Sequence, residues 1–361
     1  MRSILWIIPD RLSELLDKGE LTPRYYNPGN VFDEVWILTA RADRVPGAAI
    51  ELLGGRAPTF YRSLFKHDVI GNAWGLMSEG YALRKAMSIA SECRPSLIRT
   101  GMRWEGHLGR RLGKALGVPH LTWCNGDRDW VYHHIPWSRQ KIIMRLERRF
   151  YRSSMQANRV AAVYPEAVDF CRRHGARDVT VRYNVCNPWG VPPKEDYRIQ
   201  GPLRLITWGR LHSSRPIYPI MQGMGPRDTL TVVGDGPEKA REERAARKLG
   251  VASRVTFRGF MPNQNLLELA RDHDAAAFDI PLPGLSKTLI EAMLLGLPIF
   301  FRGPGLHDYP LIRVSDWVES LAWREPREMV NLAGQRGARL SHLWPQNTEE
   351  AWANLHREMI A

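Results

Sequence analysis

Short apolar runs alternate with helical stretches along the chain, and this alternation limits the fold more than any other feature of the sequence. Runs such as ILWII and TLTVV consist of apolar or β-branched residues throughout, which is typical of strands buried on both faces of a sheet. Strands that alternate with helices form βαβ units, and such units build parallel sheets. The sequence therefore predicts an α/β protein with two Rossmann-like, doubly wound parallel sheets.

The predicted strands fall into two groups, one in each half of the chain. Those of the first half are Ser3–Ile8, Glu34–Thr39, Ala48–Leu53, Ser96–Arg99, His120–Trp123, Arg159–Val163 and Val179–Arg182. Those of the second half are Leu203–Trp208, Thr229–Val233, Arg254–Phe257, Ala275–Asp279, Pro298–Phe301 and Leu311–Val314. Helices are predicted between them, near 75–93, 104–116, 139–155, 165–174, 216–223, 237–249, 264–272 and 286–295.

The segment Asn187–Gly201 is rich in Pro, Gly and charge, and it shows no helical or strand period. We therefore predict an N-terminal domain over 1–188 and a C-terminal domain over 189–340. A C-terminal helix is expected within 341–361 and should pack back on the first domain. Doubly wound sheets bind ligands beyond the carboxyl ends of their strands, so the predicted site lies in a central cleft that the two domains face.

Two loops after predicted strands of the second half carry residues suited to an anion. The segment TWGRLHSSRP places Gly209, Arg210 and Arg215 after a strand, and two arginines there can clamp a pyrophosphate or simply face solvent. The segment VGDGP places Gly234 after the next strand, where a glycine lets the backbone turn sharply. Many βα turns look like this, so neither loop decides the function by itself.

The segment GLSKTLIEAMLLGLP predicts a third anion site, at the N-terminus of a helix. Gly284, Leu285 and Ser286 would present backbone N–H groups there, and the helix dipole favours a negative ligand. Lys287 adds a cation in the first turn, where the dipole alone prefers an acid. Glu291, just over one turn further on, is suited to accept hydrogen bonds from a ribose or to face solvent.

These segments together resemble a known family. GRLHSSRP, VGDGPEKAREERAARKLGVASRVTFRGFMP and GLSKTLIEAMLLGLPIF occur in the order found in the donor domain of retaining glycosyltransferases with the GT-B fold, the family 4 or group 1 glycosyl transferases. The resemblance covers about residues 204–301. LIRTGMRWEGHLGRRLGKALGVPHLTWCNGD and residues 159–185 resemble the family's first half more loosely.

The resemblance implies roles for individual residues. Arg210 and Arg215 would bind the donor pyrophosphate, Glu291 would contact the ribose, and the loop at Arg258 would touch the nucleobase. The family has a first Glu eight positions before the position of Glu291, and this chain has Pro283 there. That departure leaves the recognition of the donor sugar open.

A second departure lies in the first half, where the family often has a His that contacts the donor sugar. Asn125 stands in its place, and it can hydrogen-bond a sugar hydroxyl but cannot act as an acid or base. Asp127 and Asp129 are close in sequence and are candidates for that role.

The resemblance implies a retaining glycosyltransferase that moves a sugar from a UDP- or GDP-sugar to a glycan or lipid-linked acceptor in polysaccharide or glycoconjugate synthesis. No metal-binding acidic pair of the DxD kind lies at the end of a predicted strand, so we expect no metal and no other cofactor. Two alternatives stay open: a non-catalytic GT-B protein that binds a nucleotide or glycan, and, more remotely, a nucleic-acid-binding protein.

The chain has 51 Lys and Arg against 38 Asp and Glu, a formal net charge of +13. Eleven of the basic residues lie in 139–182, against four acids. In the helix over 139–152, a basic face would consist of Lys141, Arg145, Arg148, Arg149 and Arg152, with Ile142, Ile143, Leu146 and Phe150 roughly opposite. That face would be solvated or would contact an anionic membrane. No nucleic-acid recognition motif is present, so nucleic acid is not expected as a partner.

The apolar runs are shorter than the roughly 18 residues of a membrane span, and the four cysteines form no zinc pattern. We therefore expect a cytoplasmic protein, which is peripheral at the inner membrane face if the helix over 139–152 docks there.

Overall fold

The structure is a computed structural model that describes residues 1–17, 21, 23–41, 43–65, 79–134, 139–186, 190–196, 201–213, 215–280, 284–302, 318–319 and 344–361. The chain divides into two compact units. The first contains Met1–Val185 and Asn347–Ala361, and the second contains Cys186–Gln346. The C-terminal segment therefore belongs to the first unit, although it follows the second in sequence.

The first unit is built on a seven-stranded parallel sheet in the order β3-β2-β1-β4-β5-β6-β7. Its strands are β1 Ser3–Ile8, β2 Glu34–Arg41, β3 Thr59–Phe65, β4 Leu97–Thr100, β5 His120–Cys124, β6 Arg159–Ala162 and β7 Val179–Val181. Its helices are α1 Leu12–Asp17, α2 Gly47–Gly54, α3 Glu79–Cys93, α4 Trp104–Leu116, α5 Arg128–His134, α6 Arg139–Ser154 and α7 Ala167–Arg173. Every residue of β1 is buried, as the unbroken apolar run predicts.

The second unit is built on a six-stranded parallel sheet in the order β10-β9-β8-β11-β12-β13. Its strands are β8 Arg204–Trp208, β9 Thr229–Val233, β10 Val255–Gly259, β11 Ala275–Asp279, β12 Ile299–Arg302 and β13 Val318–Glu319. Its helices are α8 Tyr218–Gly223, α9 Lys239–Lys248, α10 Asn263–Arg271 and α11 Lys287–Leu294, and α12 Trp344–Ile360 leads into the first unit. The predicted pair of doubly wound parallel sheets is confirmed.

One strand prediction is wrong. Ala48–Leu53 lies in the helix α2, which follows Pro46 and turns Leu53 inward while Leu52 stays exposed. The strand that pairs with β2 is instead β3, Thr59–Phe65, which contains the aromatic and basic residues Tyr61 and Arg62. Ala, Glu and Leu in this segment favour a helix, but a run of six residues with a single inward position, Leu53, shows no helical period. The strand predicted at 311–314 lies outside the described residues.

The predicted packing of α6 is also wrong. Ile142, Ile143 and Leu146 are exposed, although they were expected on the side opposite the basic residues. Of the residues predicted on that side, Phe150 is buried, and the helix packs through it together with Met144, Glu147 and Tyr151. The error arises because Glu147 is only 3% exposed, and an apolar pattern cannot show that a carboxylate lies on the packed side.

The C-terminal helix α12 completes the core of the first unit around a buried cation. Trp352 and Leu355 pack in one cluster with Ile4 of β1. The guanidinium of Arg99 lies 4.0 Å from the ring centroid of Trp6 and 3.7 Å from that of Trp352. Its Nη1 lies 2.8 Å from Nε2 of the buried His356. Burial lowers the pKa of Arg99 to about 9. The faces of the two indole rings stabilise its protonated guanidinium.

Buried histidines of this unit make its stability depend on pH. His120 is 1% exposed, and its Nε2 lies 2.8 Å from the hydroxyl of Thr100. Burial, aided by the charge of Arg110, lowers the pKa of His120 from 6.5 to about 3. In the unfolded chain this imidazole binds a proton below pH 6.5, whereas in the folded protein it stays neutral down to about pH 3.

We therefore predict that the free energy of unfolding falls as the pH drops from 6.5 towards 3, by about 1.4 kcal/mol per pH unit from His120 alone. Urea denaturation at several pH values measures this slope. The variant His120→Gln should have a shallower slope, while the variant His133→Gln, at an exposed histidine, should keep it. Equal slopes in His120→Gln and the unaltered protein would contradict the assignment.

Candidate functional site

The candidate site lies in the second unit, where the strand order reverses between β8 and β11. The connections from these two strands leave towards opposite faces of the sheet, so an opening forms beyond their carboxyl ends. A pocket of about 310 Å³, open to solvent, lies there. Its lining comes from the ends of β8 and β11 and from the loop after β8, and it includes Trp208, Gly209, Arg210, Arg215, Phe278 and Asp279.

Backbone hydrogen bonds hold the loops after β8, β9 and β10 side by side. The N–H of Gly209 donates to the carbonyl of Val233 at 3.0 Å, and the N–H of Gly234 donates to the carbonyl of Gly259 at 2.7 Å. Gly234 has a φ of +133°, and a Cβ there would overlap the carbonyl oxygen of Gly209. The glycine of the VGDGP segment is therefore required by close backbone approach.

Arg215 is the most informative charge in the pocket. Its Nη1 lies 3.4 Å from the hydroxyl of Thr288, and its side chain lies close over Gly209. Burial lowers the pKa of Arg215, and the charge of Glu291 partly opposes this effect. No acidic side chain in the described part of the chain lies within ion-pair distance of it. A cation that is desolvated in this way without a close counter-ion favours a bound anion.

The N-terminus of α11 faces the same region of the fold. Ser286 has extended backbone angles, and its hydroxyl accepts a hydrogen bond from the N–H of Leu289 at 3.4 Å and lies 2.8 Å from the hydroxyl of Thr288. Ser286 is therefore the N-cap of α11, which begins close to the predicted position. Lys287 begins the helix and is partly buried. Pro283, the departure from the family pattern, lies outside the described residues.

Glu291 is fixed by two side-chain donors. Its Oε2 accepts a hydrogen bond from Nε1 of Trp208 at 2.9 Å, and its Oε1 accepts one from Nδ2 of Asn263 at 3.0 Å. Burial raises the pKa of Glu291, and these two hydrogen bonds work against that rise because they favour the charged form. The carboxylate is therefore oriented before any ligand binds.

The structure brings several predicted donor-site residues together and leaves others apart. Gly209, Arg210 and Arg215 line the pocket, and Glu291 is joined to it through Trp208. The rest of the donor set, which is Gly234, Gly284, Leu285, Ser286 and Lys287, lies in the adjoining loops and the first turn of α11. Arg258 lies near the end of β10, exposed, and is not among the residues that line the pocket.

In the first unit, Asp127 already has structural partners. Its Oδ1 accepts a hydrogen bond from the N–H of Trp130 at 2.8 Å, which caps α5, and its Oδ2 pairs with Nη2 of Arg173 at 2.8 Å. Asp129 likewise lies 2.8 Å from Nε2 of His174. Asn125 is exposed in the loop after β5. Asn125 is thus available to a ligand, whereas Asp127 would first have to leave a helix cap and an ion pair.

Two residues that orient the site were missed in the sequence. Trp208 was read only as the end of a strand, and Asn263 was not considered. Their positions in the sequence could have identified them. Trp208 is the last residue of β8 and directly precedes Gly209, and Asn263 is the first residue of α10, after the loop that follows β10. A polar group at the carboxyl end of a parallel strand or in the loop beyond it is a candidate for the ligand edge of the sheet.

The sequence of this region matches a known family. Residues 220–305 match the sequence model of the family described as Glycosyl transferases group 1. The predicted resemblance is confirmed for the part of the chain that carries α11 and the loops after β9, β10 and β11.

A curated relative of the chain is the 2-deoxystreptamine glucosyltransferase of Streptomyces kanamyceticus, with 30% identity over 151 residues. The match covers 41% of this chain and 38% of that protein. The chain thus spans less than half the length of the relative.

Solved structures agree over nearly the whole chain in fold alone. HepE of Anabaena, determined in complex with UDP, has a TM-score of 0.72 and 15% identity, with 99% of this chain and 100% of that chain covered. Sucrose-phosphate synthase from Thermosynechococcus elongatus has a TM-score of 0.75 and 14% identity, with 99% of each chain covered. The predicted GT-B fold is confirmed.

The hydrogen bond between Trp208 and Glu291 should contribute measurably to stability. We predict that the variants Trp208→Phe and Glu291→Gln are coupled by about 1–2 kcal/mol in a double-mutant cycle, because Phe keeps the ring contact with Phe278 but loses the donor to a charged group. Urea denaturation of the four proteins gives the coupling. Additive effects of the two substitutions would show that the contact does not orient the carboxylate.

Proposed function

We propose that the protein is a retaining, metal-independent glycosyltransferase that moves a sugar from a nucleotide-sugar donor to a glycan or lipid-linked acceptor. Such a reaction would serve the synthesis of a polysaccharide or glycoconjugate. The observation that carries the proposal is the desolvated guanidinium of Arg215, with Arg210 beside it in the pocket and the N-terminus of α11 nearby. All three favour a diphosphate, the group that nucleotide sugars share.

Each part of the site has a role in this reaction. Arg210 and Arg215 stabilise the charge that develops on the leaving diphosphate, and the N–H groups at Ser286 and Lys287 add to that field. Glu291, held by Trp208 and Asn263, accepts hydrogen bonds from the donor ribose. The leaving phosphate itself takes the proton of the acceptor hydroxyl, so no side chain has to act as a base.

The donor we propose is a UDP- or GDP-sugar. HepE, which shares the fold, has been crystallised with UDP and with UDP-glucose. The Streptomyces relative is named as a glucosyltransferase. These names support a nucleotide donor and a hexose as first choices for a screen. We propose that the positive charges of the site take the place of a metal ion at the diphosphate.

A second candidate is a non-catalytic protein that binds a nucleotide sugar. Pro283 replaces the Glu that would contact the donor sugar, and Asp127 is held by a helix cap and by Arg173. Neither residue belongs to the proposed diphosphate site, so both observations are compatible with nucleotide binding. They argue against catalysis, because the side chains that would contact the donor sugar are replaced or already bound. Binding and turnover therefore have to be measured separately.

We predict that UDP or GDP raises the melting temperature by several degrees at saturating concentration, because a ligand that binds only the folded state stabilises it. Arg215→Ala should abolish this shift and lower turnover of the matching sugar nucleotide by about 100-fold or more. A thermal-shift screen of UDP, GDP, ADP and their sugars identifies the nucleotide, and release of nucleoside diphosphate measures turnover.

The matched control is Arg241→Ala, which removes an exposed arginine of α9 whose partner is Glu238. It should bind and turn over like the unaltered protein. Full activity in Arg215→Ala would overturn the residue assignment. Tight binding without turnover for every acceptor offered would select the non-catalytic candidate.

We also predict that turnover is unchanged in excess EDTA and that the product keeps the anomeric configuration of the donor sugar. One reaction run in EDTA and followed by proton NMR tests both properties, since the anomeric coupling constant reports the configuration. Loss of turnover that Mg²⁺ or Mn²⁺ restores would refute metal independence. An inverted anomer would refute the retaining mechanism while leaving glycosyl transfer standing.

A further inference from the structure

The outer face of α6 combines exposed aliphatic side chains with arginines. Ile142 is 46% exposed, Ile143 is 47% exposed and Leu146 is 54% exposed. Large aliphatic side chains are rarely left in water together, and a contiguous apolar patch on a protein surface marks an interaction site. The exposed basic residues of the same helix are Arg145, Arg148, Arg149 and Arg152.

The buried face of α6 fixes this orientation. Glu147 accepts a hydrogen bond from the hydroxyl of Tyr151 at 2.6 Å, and its carboxylate also lies 3.9 Å from Arg103 and 3.8 Å from Arg128. Phe150 packs in the core cluster of the first unit. Rotating the helix to bury its aliphatic residues would expose Met144 and Tyr151 and break the contacts of Glu147. The aliphatic residues are therefore held outward.

The aliphatic and basic residues form two adjoining stripes. Ile142 and Ile143 lie four and three positions before Leu146, so the three side chains cover one patch of the helix surface. Arg145 and Arg149, four positions apart, run beside that patch. Within the ranges that the structure describes, Arg145 has no ion-pair partner. Its guanidinium is therefore available to an external anion.

Charge decides which partner fits this face. Arg139–Ser154 contains six Lys and Arg but a single acid, Glu147, and that acid is buried. A second copy of the chain would set like charges against each other. A nucleic acid would meet aliphatic side chains that neither stack on bases nor form hydrogen bonds. Anionic lipids offer phosphates to the arginines and an acyl boundary to the isoleucines and leucine.

We propose that the outer face of α6 is a docking surface for a lipid bilayer with anionic headgroups. The aliphatic stripe enters the headgroup boundary, and the arginines bind lipid phosphates. No helix in the described ranges is long and apolar enough to cross a membrane. The proposal does not rest on the proposed function, because its test needs no sugar transfer.

Co-sedimentation of the full chain with vesicles tests the proposal. The protein should bind vesicles of phosphatidylcholine with phosphatidylglycerol and bind pure phosphatidylcholine weakly. The triple variant Ile142→Gln, Ile143→Gln, Leu146→Gln and the double variant Arg145→Glu, Arg149→Glu should each lose at least tenfold in binding, since one basic residue contributes about fivefold at an anionic surface. All five positions are exposed, and an unchanged melting temperature confirms that the variants fold.

Matched controls come from other helices. Leu52→Gln removes an aliphatic residue of α2 that is 50% exposed. Arg244→Glu with Arg247→Glu reverses two exposed arginines of α9. Both controls should bind anionic vesicles like the unaltered protein, apart from the small effect of net charge. Equal losses in the α9 variant and the α6 arginine variant would show that the location of the charge is immaterial and would overturn the proposal.

A fluorophore reports whether the aliphatic stripe itself enters the lipid. The four native cysteines are buried, so an environment-sensitive dye reacts selectively with the thiol introduced by Leu146→Cys. Its emission should shift to the blue on anionic vesicles, while the same dye at Leu52→Cys should not change. Absence of vesicle binding, full binding by the triple variant, or arginine-dependent RNA binding without vesicle binding would each refute the proposal.

Discussion

The reversal of strand order between β8 and β11 is the constraint on which the site depends. Because the chain leaves these neighbouring strands towards opposite faces, an opening forms beyond their carboxyl ends. Trp208 closes the β8 side and contacts Phe278 of β11 with the rings 4.8 Å apart. The indole N–H of Trp208 donates to Glu291, so a residue at the end of β8 orients a residue of α11.

Positive charge is concentrated in this opening. Arg215 loses water without gaining a close carboxylate among the described residues, and the N–H groups at the start of α11 add to the same field. Glu291 does not neutralise Arg215 directly, because its oxygens are bound to Trp208 and Asn263. We propose that a bound anion completes this field and that the charges are held in place before it binds.

Local patterns in the sequence predict the parallel sheets, the start of α11 near Ser286 and the turn at Gly234, because apolar runs and turn residues can be recognised from neighbours along the chain. The close approach to the carbonyl of Gly209 that requires Gly234 joins positions distant in sequence. The helix over 48–53 was misread because its one inward residue gives no period. The face of α6 was misread because Glu147 is buried by partners distant in sequence, Arg103 and Arg128. Trp208 and Asn263 were missed for the same reason, since their contact with Glu291 joins positions 83 and 28 residues apart.

The stacking of Arg99 between Trp6 and Trp352 joins the two ends of the first unit across the entire second unit. During synthesis on a ribosome, the first 185 residues emerge long before the segment that begins at Asn347. Until then Arg99 lacks one of its two stacking partners, and the apolar surface around Ile4 stays uncovered. The first unit is therefore made first but finished last, with the second unit free to fold in the interval.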